Sequence, residues 1–225
     1  MSVYSVAVDG PSGAGKSTLS KAVAKELGIV YVDTGAIYRT IGYHALTAGI
    51  DPKDEAAVAA ALPGLRVELT YGEDGLQHMF LNGQDVTKEI RLPEVSMYAS
   101  AVSAHPAVRA YLLEMQRELA RTNNVIMDGR DIGTVVLPDA QVKVFLTASP
   151  EARARRRMLE LEQRGIPQPF EQILTDIQER DWNDSHRAAA PLRQAEDAVL
   201  LDTTELTFQE SEAALLHIIR ERTEA

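Results

Sequence analysis

The run Gly10-Pro11-Ser12-Gly13-Ala14-Gly15-Lys16-Ser17-Thr18 fills every fixed position of the phosphate-binding template G-x-x-x-x-G-K-[ST]. This motif restricts a chain strongly, because it works only where a strand feeds a glycine-rich turn that opens directly into a helix. Both flanks are present: Val3-Tyr4-Ser5-Val6-Ala7-Val8 reads as a buried strand, and Leu19, Ala22, Val23 and Leu27 recur at helical spacing. The glycines let the backbone turn its N–H groups inward, and the helix N-terminus adds partial positive charge. Residues 10–18 therefore predict a nucleoside triphosphate site, with Lys16 reaching the β- and γ-phosphates and Ser17 offering a hydroxyl to magnesium.

In open α/β sheets, ligands sit outside the carboxyl ends of the strands. After Gly28, a plausible helix terminator, Ile29-Val30-Tyr31-Val32 forms a second strand that delivers Asp33-Thr34-Gly35-Ala36-Ile37-Tyr38-Arg39 to that edge, with Arg39 a candidate for a second substrate. A third strand, Asn124-Val125-Ile126-Met127, ends in Asp128-Gly129-Arg130-Asp131-Ile132-Gly133-Thr134. Asp128 stands where phosphate-loop enzymes place the carboxylate of the magnesium site, beside Ser17. Strands at 142–146 and 198–201 and an amphipathic helix from Phe208 to Arg220 complete the pattern. The expected fold class is α/β, three-layered, around a parallel sheet of about five strands.

Two segments interrupt this alternation. Residues 51–102 carry an alanine-rich helix, a strand at 66–71, the turn Gly72-Glu73-Asp74-Gly75, a return strand at 76–81, the turn Asn82-Gly83 and a short strand at 84–86. They read as a small antiparallel insertion, leaving 1–50, 103–150 and 170–225 as the core. A helix from Pro93 to Ala104 precedes a longer one from His105-Pro106, whose stripe is Val108, Leu112, Met115 and Leu119; Arg109 stands beside it, and periodicity alone cannot displace the plain reading of a solvated helix charge. Residues 151–169 read as a helical lid: Arg153, Arg156 and Arg157 share one face, and guanidinium forks suit a transferring phosphoryl group.

A formal net charge of −10 weighs against a nucleic-acid polymer or an anionic membrane surface as partner. There is no cysteine, which excludes disulfides and thiolate zinc sites, and the five histidines show no metal-ligand spacing. Met1-Ser2-Val3-Tyr4 has no basic n-region, and no run approaches the roughly 20 apolar residues of a membrane span. We expect a cytoplasmic protein, and a monomer.

Taken together, residues 10–18, Asp33 to Arg39, Asp128 to Gly133 and the late run Arg180 to Leu192, with its D-x-x-R-x-x-A-P-L pattern from Asp184, resemble the bacterial cytidylate kinases, within the nucleoside monophosphate kinase family. The segment 51–102 resembles their enlarged monophosphate-binding domain. The resemblance implies ATP, magnesium and CMP or dCMP as cofactor and substrates. It implies that Arg39, Arg130 and Arg187 hold the acceptor phosphate, with Thr34 in the adjoining turn and Tyr38 in the same motif. It further implies that Ser100, Arg109 and Asp131 read the base, that Arg180 and Asp184 contact the sugar, and that Arg153 and Arg157 close over the triphosphate. Many relatives carry serine where Thr34 stands; the hydroxyl is kept.

The chemistry agrees. A monophosphate acceptor, with its second pKa near 6, is already largely a dianion at neutral pH, so transfer needs positioning and charge neutralisation rather than a base. A carboxylate such as Asp131 can accept from the N4 amine of cytosine, a contact that uracil reverses. Rival readings are a kinase for another small anionic acceptor, a GTPase-like switch and a nucleic-acid-dependent ATPase. The chain carries neither N-K-x-D nor a D-x-x-G after its second core strand, which weighs against the switch.

Overall fold

The computed structural model describes residues 3–73 and 75–223, so Met1 and Ser2 at the start and Asp74 of the expected hairpin turn lie outside it. The chain divides into two compact units, Met1–Tyr31 with Ala120–Ala225, and Val32–Leu119.

The first unit is built on the strongly apolar segments. Strand β1 (Ser5–Asp9) leads through the glycine loop into α1 (Lys16–Leu27), which stops where Gly28 turns left-handed at φ 65° and returns its N–H to the Ala24 carbonyl. Strand β2 (Val30–Asp33) contains the division between the units, after Tyr31. The second unit contributes α2 (Thr34–Thr47), α3 (Glu55–Ala61), β3 (Val67–Tyr71), β4 (Gln77–Leu81), β5 (Gln84–Asp85), α4 (Pro93–Val102) and most of α5 (Pro106–Thr122). The chain then returns through β6 (Val125–Gly129), β7 (Val142–Thr147), α6 (Pro150–Gln163), α7 (Phe170–His186), β8 (Val199–Asp202) and α8 (Phe208–Thr223).

The five-stranded sheet has the order β2-β6-β1-β7-β8. Strand β1 runs parallel to β6 with Val8 opposite Asp128, and parallel to β7 with Val8 opposite Val144; β7 runs parallel to β8. This order carries the carboxyl ends of β1 and β6, Asp9 and Gly129, to the same level. Helices α1 and α8 pack on each other, burying Leu19, Val23, Leu215 and Ile219 with Val6, Val8 and Val144 of the strands. Helices α6 and α7 share a smaller cluster of Ala154, Leu161, Ile173 and Ile177, so residues before and after position 169 pack as a pair.

The second unit holds the antiparallel sheet β3-β4-β5, with Leu69 opposite Met79. It is wider than residues 51–102, because α2 packs directly on α4. A side-chain carbon added at Gly42 would stand 2.6 Å from the Ala99 nitrogen, so these helices meet at backbone distance. Tyr111 donates to the Leu65 carbonyl (2.6 Å), and a ring nitrogen of His105 lies 2.8 Å from the Pro52 carbonyl oxygen, which ties the start of α5 to the same unit. The buried stripe of α5 is Val108, Leu112 and Gln116 rather than Val108, Leu112, Met115 and Leu119. Gln116 can enter it because its amide donates to the Leu112 carbonyl at 3.1 Å. No helix among the described residues is long and apolar enough to cross a membrane.

Candidate active site

In the first unit the site begins where β1 ends. Gly10 has φ 150°, and a Cβ there would fall 1.9 Å from the Leu146 carbonyl oxygen, so only glycine lets the loop leave β1 past β7. Helix α1 starts after Gly15 with no side-chain cap, which leaves its first N–H groups suited to an anion. Lys16 is buried and donates one of its three protons to the Pro11 carbonyl at 2.7 Å. Burial and the neighbouring Arg130 charge hold its pKa well below the usual lysine value, against the opposing pull of Asp128, Asp9 and Asp184.

Asp128, on β6, takes a hydrogen bond from Ser17 Oγ on one carboxylate oxygen and from the Tyr31 hydroxyl on the other, both at 2.8 Å. A hydroxyl and a carboxylate in contact form a hard oxygen pair, the donor set of a magnesium ion that takes its remaining ligands from phosphate and water. Among the described residues no cluster of three or more His, Asp or Glu side chains offers a protein-only metal site. The Ser17–Asp128 pair fits magnesium carried with a nucleotide.

Beyond Asp128 the backbone forms a π turn over Ile132–Val136, with Leu137 N–H bonded to the Ile132 carbonyl at 2.7 Å. Arg130 Nε donates to Asp184 at 2.6 Å, and Arg187 Nη2 donates to Asp131 at 3.3 Å. Burial alone would raise Asp184, but the charge and hydrogen bond of Arg130, helped by Arg180 and Arg187, outweigh it and hold its pKa below the ordinary value. Asp128, Arg130, Asp131, Arg180, Asp184 and Arg187, far apart in sequence, thus form one charged cluster with Lys16.

The arginines of α6 separate. Arg153 is buried: its Nε donates to the Ala148 carbonyl, Nη1 to the Ser12 carbonyl at 3.1 Å, and both terminal nitrogens to Asp181. It thereby touches the phosphate loop while its fork is held by α7. Arg156 donates to Thr203, and Arg157, half-exposed, pairs with Glu160 at 2.8 Å.

The second unit carries a different arrangement. Asp33 caps α2 by accepting from Ala36 N–H at 2.9 Å, and its other oxygen accepts from Arg39 at 2.8 Å and Arg91 at 3.0 Å. Gln77 on β4 brackets the Asp33 peptide, accepting from its N–H at 2.8 Å and donating to its carbonyl at 3.1 Å. Thr34 is buried beside it. The Arg109 guanidinium lies 5.5 Å over the Tyr38 ring and donates to the Ser103 carbonyl at 3.1 Å; Ser103 Oγ in turn donates to the Ser100 carbonyl. The alternative of a freely solvated Arg109 is excluded. Tyr31, Gln77, Arg91 and Asp9 are polar contributors that the motifs did not mark; only the fold brings them to these places.

The model of the family described as "Cytidylate kinase" matches residues 6–221. A cytidylate kinase from Caldicellulosiruptor bescii is 50% identical over 210 residues, spanning 93% of this chain and 92% of that protein. One from Oceanobacillus iheyensis is 48% identical over 214 residues, 95% and 93% of the two chains. A crystal structure of an uncharacterized protein from Eubacterium ventriosum shares the fold at a TM-score of 0.55 over 97% of this chain and 99% of its own, with 10% identity. Matched by the family model along almost its whole length, the chain belongs to the cytidylate kinase family.

Proposed function

We propose that the protein transfers the γ-phosphoryl group of ATP to CMP or dCMP, giving ADP and the cytidine diphosphate. The observation that carries this is the joining, in one unit, of the phosphate loop and the Ser17–Asp128 pair with an arginine–carboxylate cluster that a nucleotide switch has no use for.

Magnesium, held through Ser17 and Asp128, would neutralise charge on the triphosphate. Residues 10–18 wrap the phosphates with backbone N–H groups, and Lys16 turns its remaining protons to the β- and γ-oxygens. Arg130, as it leaves Asp184, and Arg187 take the acceptor phosphate; Arg39 and Thr34 are assigned to it through the family motif. Arg153 reaches the triphosphate from the loop side, and Arg157 exchanges Glu160 for phosphate oxygens. Asp131 accepts from the cytosine amine, Arg109 and Ser100 complete base contact with Tyr38 as platform, and Arg180 and Asp184 hold the sugar. No side chain needs to remove a proton, which suits a site made of cations and hydrogen-bond acceptors. The reading includes a cytoplasmic monomer and a lid around residues 151–169.

Coupled ADP release with ATP, magnesium and CMP, dCMP, UMP or AMP tests it. CMP and dCMP should turn over fastest; release no greater than with ATP alone for all four would reject the acceptor assignment.

A further inference from the structure

The carboxylate of Asp9 has no part in the mechanism above, yet it is 5% exposed and fully engaged. Its Oδ1 accepts from the Ile132 N–H and its Oδ2 from the Gly133 N–H, each at 2.7 Å. These are the first two amides of the π turn, and the same turn closes on the Asp131 carbonyl through Val135 N–H at 2.9 Å and Val136 N–H at 3.2 Å. The peptide that follows Asp131 is therefore held at both its N–H and its carbonyl. Its φ of −146° and ψ of 26° are unusual for a helix entry, so the direction of its side chain depends on what fixes the turn. The grip is close: a side-chain carbon at Gly133 would stand 3.2 Å from Lys143 Cδ and 3.4 Å from Asp9 Oδ2. Through Asp9, the end of β1 that starts the phosphate loop also sets the turn that follows Arg130 and Asp131.

We propose that Asp9 is a positioning residue for acceptor selectivity: by clamping the Ile132 and Gly133 amides it aims Asp131 at the base, and so sets the preference for cytosine over uracil without touching substrate. The proposal rests on the reading that Asp131 meets the base. An amide in place of the carboxylate cannot accept on both sides, because its NH2 would face a backbone N–H.

The test is kcat/KM for CMP and UMP, with KM for ATP, in the wild type, Asp9→Asn, Gly133→Ala and Asp131→Ala, each first shown to be folded by circular dichroism. Asp9→Asn should lower the CMP/UMP ratio by about tenfold, the loss falling on CMP, with KM for ATP changed by less than about threefold. Gly133→Ala, whose added carbon would crowd Lys143 and the Asp9 carboxylate at the same turn, should shift the ratio in the same direction and serves alone if Asp9→Asn does not fold. A ratio unchanged in the folded Asp9 or Gly133 variant but changed in Asp131→Ala overturns the positioning role and leaves the base reading standing. A ratio unchanged in Asp131→Ala overturns the base reading, and the proposal with it. A raised KM for ATP at an unchanged ratio assigns Asp9 to the phosphate loop and likewise overturns the proposal.

Discussion

In the unit that carries the phosphate loop, carboxylates and their partners are matched closely: Asp128 has Ser17 and Tyr31, Asp184 has Arg130, Asp131 has Arg187 and Asp181 has Arg153. At the start of α2, in the 32–119 unit, one carboxylate, that of Asp33, is shared by an amide and two guanidinium groups. The first arrangement holds charges in fixed positions within buried surroundings. The second has more cationic than anionic groups and leaves one arginine largely in water. Substitutions in the first should therefore act on the transition state and on stability together, and those in the second should act mainly on substrate binding.

The largest effect is expected at Lys16. Lys16→Met removes a buried cation whose remaining donors are free to follow charge onto the transferring group, and kcat should fall by about 10²–10³-fold, as for loss of one preorganised donor to a developing anion. Steady-state rates at saturating ATP and CMP read this directly. A loss confined to KM would move Lys16 from transition-state stabilisation to ground-state binding.

Asp184→Asn breaks the matched arrangement at its tightest pair. Neutral-pH stability should drop by about 2 kcal/mol, the scale of a hydrogen bond to a charged partner. Because the folded pKa of Asp184 lies below its unfolded value, its stabilising contribution is present above the ordinary carboxylate range and is lost as pH falls through the folded value. The wild type should therefore lose stability on acidification more steeply than the variant, and the two denaturation curves should converge in acid. Parallel curves would show that Asp184 adds nothing to the acid limb.

Gly42→Ala probes the second unit where no charge is involved. The new carbon would meet the Ala99 backbone nitrogen at 2.6 Å, and backbone cannot rotate away as a flexible side chain can, so α2 and α4 must separate at a cost of about 1–3 kcal/mol. Urea unfolding measures it.

The legible part of this molecule was the part written contiguously. The strand, loop and helix around residues 5–27 follow from local spacing, and Asp128 follows from standing at the end of an apolar strand. Elements of the 51–102 segment were legible too, each within two residues, yet the unit containing them begins at Val32 and ends at Leu119 because of a contact between α2 and α4 that no local pattern encodes. The same limit hid Gln77 and Arg91, which meet Asp33 only through the fold. It also hid Tyr31, an ordinary aromatic within a strand until its hydroxyl is seen on Asp128. The arginines of α6 share a face in sequence but not a partner, since α7 supplies Asp181 to one and the segment after β8 supplies Thr203 to another.

Arg91 gives the smallest and sharpest test of the difference between the units. Its side chain is 55% exposed, so the Asp33 contact is screened and contributes little to stability, about 0–1 kcal/mol. Arg39 shares the same carboxylate oxygen, however, and each arginine limits how firmly the other is bound there. Arg91→Ala leaves Asp33 entirely to Arg39 and removes one positive charge near it. KM for CMP should rise about two- to fivefold, less at high salt, with kcat and the unfolding midpoint unchanged. A fall in kcat instead would mean that Arg91 acts on the transferring phosphate, and the second unit would then share the character of the first.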